Sequence, residues 1–464
     1  MKFTSFEFLI FLPLVLLTYW RLSRRGQNVL LLGASYVFYG WIHPWFCLLI
    51  GFSTILDYFC GLAMERSPSR KRSFLVLSIA GNLALLGTFK YFNFFMENFR
   101  DVLGVFGLDA GVPVMQVLLP VGISFYTFQS LSYTIDIHAG RIVARRNFVD
   151  FAVFVSLFTQ LVAGPIERAS RLLPQIEKDR HLTMAQIESG VGLIVWGYVK
   201  KLFIADQVVI WVDRIFELPH PSWILLAAGA LAFAIQILAD FSAYTDIARG
   251  AARLLGFDLV ENFKAPYLAT SPSDFWRRWH ISFSSWIRDY LYFPLGGSKN
   301  GTGRFILATG VAMGLSGLWH GASWNFVIWG LYHGVLVIAY HLFFRRVGAG
   351  LAALVGETAT RCLAVATMFP LTLFGWIIFR QQDFGFLRNY LSTNPLVTTS
   401  EEISVALGVG ALSVGLCLPW LLRPLVASTL KASRPMAIAA TWAGVVLVFL
   451  FGRETGVDFI YFAF

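Results

Sequence analysis

The stretch from Phe305 to Phe344 contains no Asp, Glu, Lys or Arg, and no other feature restricts the folds open to this chain as much. At about 20 residues per crossing, it is long enough for two membrane helices. Inside it lies GLSGLWHGASWNF, with His320 near its centre. An ionisable side chain at membrane depth is costly and usually faces a polar cavity or a partner. Histidine is also the side chain best suited to take up and return a proton near neutral pH. The alternative is a packing histidine bonded to a neighbouring helix.

The rest of the chain agrees with a membrane setting. Of 464 residues, 57% are hydrophobic and only 14% charged, with a mean hydropathy of +0.65. Those values exclude an ordinary soluble globule. The expectation is an all-α polytopic membrane protein. Apolar segments fall near 5–20, 28–43, 45–62, 73–96, 116–134, 187–216, 222–240, 304–320, 323–343, 362–380, 403–421 and 436–452. They predict about eleven to thirteen helices once re-entrant pieces are allowed for. A single membrane domain over 1–464 is expected, read in chain order as N-terminal helices (1–147), a histidine-bearing core (148–343) and C-terminal helices (344–464). Cys47, Cys60, Cys362 and Cys417 lie in or beside apolar segments without metal-type spacing, so they read as small hydrophobes. The net charge of +10 is spread over loops and suits anionic lipid, with no soluble domain to offer nucleic acid.

Basic residues set an orientation. Arg21, Arg24 and Arg25 follow the first span, Arg66, Arg70, Lys71 and Arg72 the third, and Arg141, Arg145 and Arg146 the fifth. Arg345, Arg346 and Arg361, then Arg423, Lys431 and Arg434, mark further inner loops. The alternation places both termini outside. Residues 148–163 are apolar but flanked by basic residues at both ends, which predicts a re-entrant hairpin broken at Gly164-Pro165.

Three stretches could carry chemistry. In SPSDFWRRWHISFSSWIRDYLYFPLGG (271–297), Ser271 or Ser273 can cap a helix with Pro272 in its first turn. Phe275, Trp279, Phe283, Trp286 and Tyr290 share one face at helical spacing, while Arg277, His280, Ser284 and Arg288 share another. This predicts one interfacial helix whose basic stripe meets either an anionic donor or lipid headgroups. A lipid anchor would have no need of His280. In the 304–343 hairpin, Gly310 and Gly314, and Gly317 and Gly321, have the spacing of close helix contact. Ser316, Ser323 and Trp324 would share the face of His320 if the helix continues, and His333 and His341 read as structural. In DFSAYTDIARG (240–250), Asp246 and Arg249 can pair at i, i+3 beside Asp240. Gln129, Asp136 and His138 are similarly polar within a span, and Gln160, Glu167 and Arg168 flank the re-entrant turn. No zinc spacing, phosphate-binding loop or GxSxG elbow occurs in the sequence.

Together with the 120–140 stretch, QLVAGPIER (160–168), KKLFIAD (200–206), ENFKAPY (261–267), GLWHGASWNFVIWGLYHG (317–334) and the final FIYFAF, these motifs resemble the membrane-bound O-acyltransferase family, and within it the alginate O-acetylase type of bacteria. The resemblance covers nearly the whole chain; Thr159 stands where that family favours proline. It implies helices around a transmembrane tunnel, His320 as the catalytic residue and His280 as a second important histidine. Arg277, Arg288, Ser316, Trp324 and Asp246 are further candidates for the donor or tunnel. It implies no bound cofactor or metal, acetyl-CoA or another acyl thioester as donor, and an extracytoplasmic polysaccharide as acceptor. A periplasmic serine-hydrolase-like acetyltransferase is the implied partner, and the bacterial inner membrane the location. D-alanyl transfer from a carrier-protein thioester to teichoic acid, a proton-coupled transporter and a silent scaffold are the rival readings. The central expectation is that the two imidazoles, on separate helices, line one water-filled passage.

Overall fold

Many large apolar side chains point outward and several charged ones inward, unlike in a soluble protein. In this computed structural model Leu48, Phe59, Val335, Leu407 and Phe449 are exposed, whereas Asp57, Lys201 and Asp240 are buried. Only a surrounding apolar solvent makes that arrangement favourable. The structure describes residues 1–464 apart from 109–110, 116–117, 163, 382, 393, 421–432, 452–458 and 461–464. The expected inner-loop residues Arg423 and Lys431 and most of the FIYFAF end lie outside the described residues.

No strand occurs among the described residues. Six of their helical runs are long and apolar enough to cross a bilayer: Phe46–Arg66, Pro68–Val105, Trp223–Leu254, Trp324–Phe344, Glu357–Arg380 and Ser400–Trp420. Phe6–Tyr19, Phe148–Leu161 and Pro435–Phe451 are apolar but shorter. Other expected segments become helices that carry charge, such as Met184–Tyr198 running into Val199–Ala205 with Lys200 and Lys201. The protein is thus an all-α, multi-pass membrane protein. Its contacts group into two units that differ from the chain-order partition: 1–191 with 248–260, and 192–247 with 261–464.

The first unit is built around buried polar groups. Asp57, on Phe46–Arg66, accepts from Ser78 at 2.6 Å and from Asn82 at 2.9 and 3.1 Å, and also from Ser130 of Ile123–His138. Such bonds hold helices together where lipid offers no hydrophobic drive between them. The 148–161 segment is two helices broken at Leu157, whose ψ of 116° is not helical. Phe151 to Phe158 are almost wholly buried, and Ser35 Oγ accepts from the Phe158 amide at 3.0 Å. Too short to cross and enclosed by protein, the segment has the form expected of a re-entrant piece.

The second unit holds both histidine motifs. The hairpin Thr302–His320 and Trp324–Ala339 packs backbone against backbone at Gly317 and Gly330. A Cβ on Gly317 would lie 2.0 Å from the Phe326 carbonyl oxygen, and one on Gly330 would lie 2.1 Å from that of Met313. Gly310, expected at this contact, has nothing within 4 Å of where a Cβ would be. Gly330 takes that place because the partner helix supplies half of the contact.

Candidate active site

The 271–297 stretch is not one helix. Ser271 caps Pro272–Arg278 by accepting from the Asp274 amide at 3.1 Å, as its sequence suggests. The helix stops at Trp279, and His280 takes left-handed backbone angles (φ 42°, ψ 55°) before Ile281–Ile287 begins. For a residue with a Cβ that conformation costs of order 1–3 kcal/mol and persists only when its surroundings impose it. Asn262 imposes it here. Its carbonyl accepts from Ile281 N at 2.9 Å, and its Oδ1 accepts from Ser282 N at 3.1 Å. Lys264 N also donates to the Arg278 carbonyl at 2.9 Å. ENFKAPY is thus a brace for the histidine turn, a role that only a long-range contact reveals.

The break undoes the expected stripes. Arg277 and Arg288 remain exposed, with Asp274 at 3.6 Å and Asp289 at 2.8 Å respectively. His280 leaves them and turns inward, 0% exposed. The aromatic face, expected among lipid headgroups, is instead buried in protein at Phe275, Trp279, Phe283, Trp286 and Tyr290. Burial alone pushes the His280 imidazole down to about 3, so it is neutral at physiological pH. It can hydrogen-bond a ligand but brings no positive charge to an anionic one.

His320 closes the Thr302–His320 helix and is 3% exposed. Ser316, one turn earlier, is buried too. The helix does not continue: Gly321 is extended, Ser323 starts a new helix, and Trp324 lies 51% exposed. Trp324 and Ser323 therefore do not share the face of His320, because the chain reverses between them.

The two imidazoles meet at the same pair of rings. Phe283 lies 5.0 Å from His280 and 5.6 Å from His320, and Trp319 lies 5.7 and 4.9 Å from them. Phe283 and Trp319 thus link the two imidazoles through aromatic contacts. Trp329 and Phe379 close around His320 at 5.0 and 5.4 Å, and Phe241 packs on His280 at 4.7 Å. Low water content around the rings would protect an activated acyl group from hydrolysis.

Beside Phe241, buried charges are paired over long sequence separations. Asp246 binds Lys200 Nζ at 2.9 Å, a partner that the i, i+3 spacing to Arg249 does not reveal. Lys201 reaches Asp206 at 2.9 Å and Asp240 at 3.0 Å. Val199–Ala205, which carries both lysines, is wound as a π-helix, a form frequent at functional positions. Asp240 also accepts from the Ile460 amide at 2.7 Å, while Phe459 packs on Tyr244 at 4.2 Å. Among the described residues no group of His, Cys, Asp and Glu could hold a metal ion.

Comparison with known proteins places these motifs. The family model of MBOAT, membrane-bound O-acyltransferase family, matches residues 139–365. A Pseudomonas aeruginosa protein named "Probable alginate O-acetylase AlgI" is 40% identical over 82% of this chain and 72% of its own. The "Peptidoglycan O-acetyltransferase" of Helicobacter pylori is 31% identical over 80% and 75%. The "Teichoic acid D-alanyltransferase" of Bacillus subtilis is 27% identical over 57% and 69%. With a matching family model and similarity to these relatives over most of its length, the chain belongs to the membrane-bound O-acyltransferase family and is an O-acyltransferase.

Proposed function

We propose that the protein moves an acetyl group from a cytosolic thioester, acetyl-CoA, to a hydroxyl of an extracytoplasmic polysaccharide, directly or through a periplasmic serine-hydrolase-like acetyltransferase. The observation that carries this reading is the meeting of His280 and His320 at Phe283 and Trp319. One nitrogen of His320 takes the proton of the acceptor hydroxyl as its oxygen attacks the thioester carbonyl. The thiolate leaves and receives that proton. A transient acyl-imidazole on His320 would serve equally for passing the group to a partner. Neutral His280 orients the donor, and exposed Arg277 and Arg288 meet its phosphates at the inner surface. Ser316 supports His320, whereas Asp246 acts through Lys200. The two relatives named O-acetylase or O-acetyltransferase are similar over about four-fifths of this chain, and the D-alanyltransferase over little more than half, which favours acetyl transfer. In this reading the protein sits in the bacterial inner membrane with both termini outside, and its tunnel opens when the aromatic rings move.

The test uses the full chain in liposomes with radiolabelled acetyl-CoA. Label should pass to a soluble glycan or partner acetyltransferase, and His320→Ala should abolish transfer while keeping the wild-type melting point. A folded His320→Ala protein that transfers label at the normal rate would remove His320 from the mechanism.

A further inference from the structure

His333 is read from the sequence as structural, yet its surroundings do not satisfy it. It is buried, and neither ring nitrogen finds a hydrogen-bond partner among the described residues. Trp276 lies 5.2 Å away and Trp329 5.0 Å away, and these two rings are 5.7 Å from each other. The indole nitrogens of both are also buried without a partner. Three rings in mutual contact thus hold three N–H donors and one nitrogen acceptor, all unused among the described residues. A buried polar group left unmade costs about 1–3 kcal/mol, so a cluster of them calls for a ligand.

The inventory specifies that ligand. A phosphate or carboxylate would leave the imidazole acceptor unmet, and no cation is among the rings that pack on His333 to balance a charge. A secondary amide meets three of the four, including the acceptor: its carbonyl takes two donors and its N–H meets the imidazole nitrogen. Trp329 also touches His320 at 5.0 Å, so the cluster is one ring away from the proposed catalytic imidazole. Trp276 is only half-buried, which gives a way in. Opposite Nε2 stands Gly375, where a Cβ would come within 3.1 Å of that nitrogen.

We infer that Trp276, Trp329 and His333 form a subsite for a secondary amide, namely an amide of the pantetheine arm of the acyl thioester. The inference rests on the thioester reading above. In coenzyme A the first amide stands two methylenes from the sulfur, so binding it beside Trp329 brings the thioester toward His320.

The experiment compares two donors in the liposome assay: S-acetyl-N-acetylcysteamine, which has that amide, and ethyl thioacetate, which lacks it. The readout is the ratio of kcat/KM for the first to the second. In His333→Phe the ratio should fall roughly tenfold, the effect of one buried hydrogen bond, and His333→Gln should restore most of it. Gly375→Ala should lower the ratio as well. Should His333→Phe fail to fold, Trp276→Phe, which removes the indole N–H together with part of a half-buried ring, should lower the ratio several-fold. An unchanged ratio in the folded variants, with His333→Phe melting higher than wild type, would overturn the subsite and leave water or nothing on these nitrogens. Wild-type protein that uses neither these donors nor acetyl-CoA would instead refute the thioester reading, and the subsite with it.

Discussion

Gly317→Ala is the sharpest probe of the architecture behind the site. The added methyl would lie 2.0 Å from the Phe326 carbonyl oxygen, 2.8 Å from its carbon and 3.2 Å from the Gly330 Cα. Carbon and carbonyl oxygen ordinarily come no nearer than about 3.3 Å. The hairpin must therefore open by more than about 1 Å at a point where the obstacle is backbone and cannot swing aside. Overpacking costs about 1–3 kcal/mol, and an unyielding obstacle puts this change at the upper end. His320 is three residues further on, within one helical turn, so the displacement reaches the imidazole as well. Gly310→Ala on the same helix is the control. Nothing lies within 4 Å of its Cβ position, and alanine favours a helix by up to about 1 kcal/mol over glycine. Melting curves of the detergent-solubilised variants, with acetyl transfer measured in parallel, should rank Gly317→Ala well below wild type and Gly310→Ala at or above it. Equal melting of the two variants would refute the argument from close approach.

Other outcomes follow from the buried charges. Burial raises Glu167 from 4.5 to about 7, against the lowering effects of the Val260 amide at 2.5 Å and Arg171. Its contribution is full below pH 4.5 and is lost as pH rises through about 7, amounting to about 3 kcal/mol. Glu167→Gln should therefore flatten the melting-temperature profile between pH 5 and 8, mainly by stabilising the alkaline end; an unaltered slope would contradict the assignment. Lys201→Met leaves Asp206 and Asp240 buried without their cation and should cost about 3–5 kcal/mol, read as loss of folded protein on size exclusion. Asn262→Leu removes the acceptor of the Ser282 amide and should cost about 1–3 kcal/mol while lowering acetyl transfer more than Glu261→Gln does on the neighbouring residue.

What could be read in the sequence were the local properties. The charge-free run at 305–344 does form a helical hairpin, of which Trp324–Phe344 is long and apolar enough to cross a bilayer and Thr302–His320 is not. The 148–163 segment announced a short, protein-enclosed piece through its basic flanks, and Ser271 and Pro272 announced a helix start. His280 and His320 stood out as ionisable groups where apolar ones were expected. The periodicity of 271–297 misled because an uninterrupted pattern cannot show a turn imposed from elsewhere. Asn262 imposes it, and with it the inward direction of His280. Likewise a single face around His320 assumes a helix that in fact ends there.

The sequence by itself determined the solvent, the helical class and the two imidazoles, since each follows from a residue's own chemistry or that of its helical neighbours. Tertiary structure alone decided which aromatic rings join those imidazoles, which aspartate each buried lysine meets, and which glycines let the hairpin close. Those depend on groups distant in sequence, and their pairing is set by packing that no local pattern records.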